Sequence, residues 1–154
     1  MLSVWPFASR SMRHRTFGKL KSVRNGKFWQ ARVAMSQSRK PVNLHISAGV
    51  SGPTPEQEGL FLSLAEQYPT VLGTALKAVH QEYQRVRLSK PQLKWPAVGE
   101  LADFEHLTPL DRIWLDDHGG QQFVFSFNHR DDKDHSFHVF FEGGRVKSVA
   151  SERE

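Results

Sequence analysis

Three carboxylates and an imidazole crowd into five residues at Asp131, Asp132, Asp134 and His135, with His129 and His138 on either side. Carboxylate oxygens suit Ca²⁺ or Mg²⁺, and the imidazoles suit a transition metal. The spacing fits no EF-hand loop, and no HExxH-type pair is present. Asp-rich hairpin tips also arise from ordinary turn chemistry, because Asp bonds its own backbone. The expectation is therefore a solvated turn, with no metal and no cofactor. Glu105–His106 and Asp117–His118 are adjacent acid–imidazole pairs. Neighbours in an extended segment point to opposite faces, so adjacency alone builds no catalytic dyad. No nucleophile elbow or phosphate-binding glycine loop appears. His45 reads as a solvent-facing strand residue and His80 as the edge of a helix's polar face. An enzyme is not expected.

The other chemistry-bearing group is cationic. The first 55 residues hold ten Lys/Arg and no Asp/Glu, whereas the remainder holds eleven against sixteen. The net +5 is thus +10 at one end and −5 over the rest, a field that steers an anionic partner toward one part of the molecule.

Local pattern places these charges. Asn25-Gly26 between two β-prone runs signals a two-residue hairpin turn. That register opposes Lys21 with Gln30, Ser22 with Trp29 and Val23 with Phe28. Alternation then puts Leu20, Trp29, Ala31 and Val33 on a core face. Lys19, Lys21, Phe28, Gln30 and Arg32 fall on a basic outer face carrying one aromatic. A third strand is predicted over residues 42–47. Thr54, Pro55 and Gln57 form a capping box that starts a helix, which Pro69 is expected to stop. A second helix from Thr70 carries the apolar stripe Leu72, Ala75, Leu76, Val79, Tyr83 and Val86. Residues 88–99 read as a connector with Trp95 packing on the domain. Four further strands are predicted over residues 110–115, 121–128, 136–142 and 145–150.

The tight turn at Gly143-Gly144 pairs Phe141 with Val146, Val139 with Ser148 and Phe137 with Ala150. Its outer face then carries His138, Phe140, Glu142, Arg145, Lys147 and Val149, with Glu142 opposite Arg145. The predicted fold is α+β: antiparallel sheet with two helices packed on one face, in the order β-β-β-α-α-β-β-β-β.

With 154 residues, one domain with a substantial core is expected. Absence of cysteine excludes disulfides and thiolate metal sites. No run approaches the ~20 apolar residues of a membrane helix. Residues 1–17, with Arg10, Arg13 and Arg15 and no acid, are similar in composition to an organellar transit peptide. The favoured expectation is instead an N-terminus whose Trp5 and Phe7 pack on the domain. Residues 1–16 are taken as a basic segment, open to flexibility, before a single domain over 17–154.

Several runs resemble a group of small bacterial domains of unknown function. They are Phe17-Gly-Lys-Leu, Gly26-Lys-Phe-Trp-Gln-Ala-Arg-Val, Gly52-Pro-Thr-Pro-Glu-Gln with two helices, and the closing Phe-rich strands with Asp134-His135 and Gly-Gly-Arg-Val. The resemblance implies a cytoplasmic bacterial protein, of a kind encoded beside secreted toxins, and a role as an immunity protein. It carries no catalytic residue. The resulting expectation is a non-enzymatic protein-binding domain that neutralises a cognate toxin by steric occlusion. Its contacts would come from Lys19, Lys21, Phe28, Gln30 and Arg32, or from His138, Phe140, Arg145 and Lys147. A basic face calls for a toxin with an acidic surface. The alternative is a nucleic-acid-binding module in which Phe28 stacks a base beside the cations.

Overall fold

The computed structural model describes residues 10–23, 28–116 and 121–153. The Asn25-Gly26 turn, the Asp117–His118 pair, Trp5 and Phe7 lie outside the described residues. Eight strands form one sheet whose spatial order follows the chain. They are β1 (Ser11–His14), β2 (Gly18–Val23), β3 (Phe28–Val33), β4 (Val42–Ser47), β5 (Leu110–Leu115), β6 (Gln122–Asn128), β7 (His135–Glu142) and β8 (Arg145–Arg153). Between β4 and β5 run α1 (Pro55–Glu66), α2 (Tyr68–Ser89), a 3₁₀ turn at Pro91–Leu93 and α3 (Leu101–Leu107).

The α+β class stands, and four details of the predicted order change. Ser11–His14, assigned to the N-terminal segment, pairs antiparallel with β2 and extends the sheet. A third helix, α3, precedes β5; at seven residues it is too short for helical periodicity to register. Pro69 does not end a helix but sits in the first turn of α2, where its missing N–H costs nothing. β4 and β5 pair in parallel, unlike every other neighbouring pair. The helical crossover carries the chain back to the end of the sheet where β4 began, so the next strand runs the same way.

The hairpin registers follow side-chain chemistry. Lys21↔Gln30, Ser22↔Trp29 and Val23↔Phe28 pair as the alternation predicts. At the last hairpin Phe141↔Val146 and Glu142↔Arg145 also hold. A bulge then intervenes: Phe140 opposes Ser148, so Lys147 is the extra residue. Beyond it the expected pairing is off by one. Val139 opposes Val149 rather than Ser148, and Phe137 opposes Ser151 rather than Ala150. Val149 therefore packs against the core instead of lying on the outer face.

One face of the sheet carries Leu20, Trp29, Leu44, Ile46, Ile113, Leu115 and the five phenylalanines of β6 and β7 that alternate inward, all buried. The helices close over it with Phe61, Leu64, Val79, Tyr83 and Phe104. The capping box that begins α1 is complete: Gln57 N–H donates to Thr54 Oγ1 at 3.2 Å, and Thr54 N–H donates to Gln57 Oε1 at 3.0 Å. Gln57 is itself buried, and its amide donates to the carbonyls of Ser47 (2.7 Å) and Asp116 (3.2 Å). One side chain thus caps the helix and ties the ends of β4 and β5 together.

Candidate binding face

No helix among the described residues covers the opposite face of the sheet, and pairing decides what it presents. Directly opposed residues share a face. Following Lys21↔Gln30, Gln30↔His45, His45↔Trp114, Trp114↔Val124 and Val124↔Phe140 gives one row across six strands. Following Arg32↔Asn43, Arg112↔Ser126 and Ser126↔His138 gives the next. The two sets of docking residues read separately from the sequence, Lys19/Lys21/Phe28/Gln30/Arg32 and His138/Phe140/Arg145/Lys147, therefore lie on one continuous surface. The parallel β4–β5 pair joins them.

At the centre of that surface is a cluster that sequence reasoning missed. The Phe28 ring stacks on His45 (centroids 5.2 Å, 19°), and Trp114 meets His45 edge-on (4.4 Å, 72°). Arg112 lies 5.9 Å from the Trp114 ring. His45 was expected to face solvent; it has the expected side of the sheet but is 7% exposed, covered by its aromatic neighbours. The Gln30 amide donates to its Nε2 at 3.1 Å, and its Nδ1 has no hydrogen-bond partner among the described residues. Burial, reinforced by the Arg112 charge and opposed by Asp111, pushes its pKa down to about 4. The alternation of β4 and β5 contained the signal, but pairing those two strands required the crossover.

The cations are unevenly compensated. Arg15 turns away from this face to pair with Glu58 of α1 at 3.0 Å. Arg112 pairs with Asp111 at 2.6 Å, and Lys147, rather than Arg145, makes the ion pair with Glu142 at 3.2 Å. Lys19, Lys21 and Arg32 are exposed and have no carboxylate partner among the described residues. A recess of about 620 Å³ opens between these three side chains and Arg112.

Ser126, His138 and Glu152 lie side by side on β6, β7 and β8. Ser126 Oγ and His138 Nδ1 are 2.8 Å apart, and His138 Nε2 lies 3.3 Å from Glu152 Oε2. Ser136 Oγ also bonds Nε2, at 3.1 Å. A serine–histidine–carboxylate row invites comparison with a nucleophilic triad. Here Ser126 is only 3% exposed, so its hydroxyl presents no open face to a substrate. The row is a cross-strand hydrogen-bonded ladder.

The Asp/His loop is committed elsewhere. His129 and His135 are buried beneath Trp95 and Tyr83, with His129 4.9 Å and His135 4.9 Å from the Trp95 ring. His129 Nδ1 accepts the N–H groups of Asp131 (3.1 Å) and Asp132 (3.0 Å), so its ring proton sits on Nε2; burial holds its pKa below the ordinary value. Trp95 Nε1 donates to Asp132 Oδ2 at 3.0 Å, and the same oxygen lies 2.9 Å from His135 Nδ1. Asp131 pairs with Arg130, and Asp134 is exposed. Among the described residues no three His, Asp or Glu stand where they would hold one metal ion. His80 pins the Val98 carbonyl, and Glu105 and His106 lie on α3, away from the open face.

Among the described residues no helix is long and apolar enough to cross a membrane. No protein-family model, curated protein or solved structure matches this chain.

Proposed function

We propose that this chain is a non-enzymatic protein-binding domain that presses the open face of its sheet against an acidic surface of a cognate protein and blocks it by occlusion. Neutralisation of a bacterial toxin is the form of that role to which the resemblance in the closing strands and the capped helix points. The observation that carries the reading is the continuity of the face. The parallel β4–β5 pair sets Phe28, Trp114 and Phe140 among Lys19, Lys21, Arg32 and Arg112. Aromatic and Arg side chains amid polar neighbours are the usual composition of an interface centre. Phe140, 38% exposed, is one of the few large apolar side chains left in solvent among the described residues.

Size supports the same reading. Six strand spacings of about 4.8 Å by about 20 Å of strand length give roughly 600 Å². That approaches the ~800 Å² per partner of a standard protein interface.

The test is capture from the native source after nuclease treatment, repeated with Lys21→Glu/Arg32→Glu and with Lys77→Glu on the exposed side of α2. A stoichiometric protein partner, lost with the first variant and kept with the second, is expected. Capture unaffected by the open-face reversal would refute the assignment of the surface, and no captured protein would refute the role.

A second reading, single-stranded nucleic acid on the same face, is favoured by one fact. The basic face has three aromatic rings at its surface rather than the single Phe28 the sequence offered. That reading requires an affinity that collapses with salt whatever the probe sequence.

A further inference from the structure

Strand pairing sets like charges against one another at one corner of the sheet. Arg13 of β1 stands directly opposite Lys19 of β2. Lys21 and Arg32 share that face, and the parallel register Leu44↔Ile113 brings Arg112 level with Asn43. Opposed like charges on neighbouring strands destabilise a sheet. Among the described residues only Arg112 has a carboxylate to offset it, Asp111 at 2.6 Å. The recess between these cations is walled by Lys19, Lys21, Arg32 and Arg112, and Gln30 and His45 also line it. His45 is more than nine-tenths buried, and its Nδ1 lacks a hydrogen-bond partner among the described residues.

We propose that this recess binds a compact oligophosphate, a diphosphate or longer chain, either free or carried on a nucleotide. The match is one of charge density and size. A terminal phosphoryl group carries about −1.5 to −2 with three strong acceptor oxygens, so two or three linked phosphates answer the uncompensated cations within one small volume. An extended acidic peptide spreads one carboxylate per residue over a longer span. Arg guanidinium forks suit phosphoryl oxygens in pairs, and about 620 Å³ is within the range of small-ligand sites. The inference concerns a small ligand and does not depend on the protein-docking reading.

The experiment is isothermal titration of the full chain with sodium tripolyphosphate, with ATP and with a short oligo(dT), in a phosphate-free buffer. It is repeated on Lys21→Gln/Arg32→Gln and on Arg85→Gln, an α2 residue paired with Glu82 far from the recess. Saturable 1:1 binding of tripolyphosphate is expected, weakened about tenfold or more by the double variant and unchanged in Arg85→Gln. Equal affinity for ATP identifies the phosphate chain alone as the ligand; about tenfold tighter ATP binding identifies a nucleotide. Both support the proposal. Imidazole NMR gives a second readout: His45 resonances should move on adding tripolyphosphate, and the ring should titrate at higher pH. Failure of tripolyphosphate and ATP to saturate at millimolar concentration would overturn the proposal. So would oligo(dT) binding alone, or binding indifferent to the recess variant. Loss of the captured protein in the partner experiment leaves this result untouched, so the two ideas fail separately.

Discussion

His45 makes the fold acid-sensitive by an amount that can be worked out. The ring packs with Phe28 and Trp114 in a mutually contacting three-ring cluster and is 7% exposed, and its pKa falls to about 4 against an ordinary 6.5. Below pH 6.5 the unfolded chain binds a proton that the folded chain refuses, so stability rises with pH through this window. The contribution is fully present above 6.5 and is lost progressively as pH falls toward 4. About 2.5 pH units at 1.36 kcal/mol each give on the order of 3 kcal/mol. Native proteins are stable by only about 5–15 kcal/mol in total, so the loss is a sizeable share.

The assay is urea unfolding, followed by far-ultraviolet circular dichroism, at several pH values between 7.5 and 4, for the natural chain and His45→Gln. The amide keeps a group able to bond Gln30 but cannot titrate in this range. Buried His129 contributes a slope of the same sign to both proteins, so the informative quantity is their difference. That difference should change by about 3 kcal/mol between pH 7 and 4. Parallel profiles, to within about 0.5 kcal/mol, would show that His45 titrates normally and that the aromatic cluster does not exclude water.

Gln57→Leu should cost about 2–3 kcal/mol in urea unfolding, because it strands the Ser47 and Asp116 carbonyls and half of the cap at once. Trp95→Phe keeps most of the ring packing but releases Asp132 Oδ2, and should lower stability by about 1–2 kcal/mol. Trp95→Ala also empties the space against Tyr83, His129 and His135 and should cost about 3–5 kcal/mol by thermal unfolding.

What the sequence disclosed was whatever depends on neighbours along the chain. The Ser22–Trp29 register followed from a two-residue turn, and the Thr54–Gln57 box from four consecutive residues; both are local geometry. The bulge at Lys147 was not legible, because an extra residue leaves alternation intact on either side and shows only in what Val149 touches. Helix α3 was missed for its length, although Leu101, Phe104 and Leu107 recur at intervals of three. The Asp/His loop reads as a solvated turn because acid and imidazole spacing says nothing of depth; His129 and His135 lie buried under Trp95, 34 and 40 residues earlier in the chain. The site at His45 was illegible for a different reason. Phe28 comes from the adjacent β3, but Arg112 and Trp114 reach it only once β4 and β5 are side by side, across the 62 residues separating Ser47 and Leu110.

Because strand order in space repeats strand order in sequence, the charge asymmetry of the chain becomes a gradient across the open face. Arg13, Lys19, Lys21 and Arg32 occupy β1 to β3 with no carboxylate beside them in those strands, whereas β7 and β8 set Glu142 and Glu152 among Arg145, Lys147 and Arg153 and so nearly neutralise themselves. At about 4.8 Å per strand the two ends stand roughly 20–25 Å apart. That is more than twice the ~8 Å screening length at physiological salt, so the fields do not cancel and an approaching anion senses one end. Arg112 breaks the pattern: it belongs to the acidic part of the chain yet faces the cationic recess. The recess is therefore more than the accumulated charge of a basic terminus. Its last wall is supplied across the parallel pair, by the one contact in the sheet that the chain reaches only by passing through all three helices.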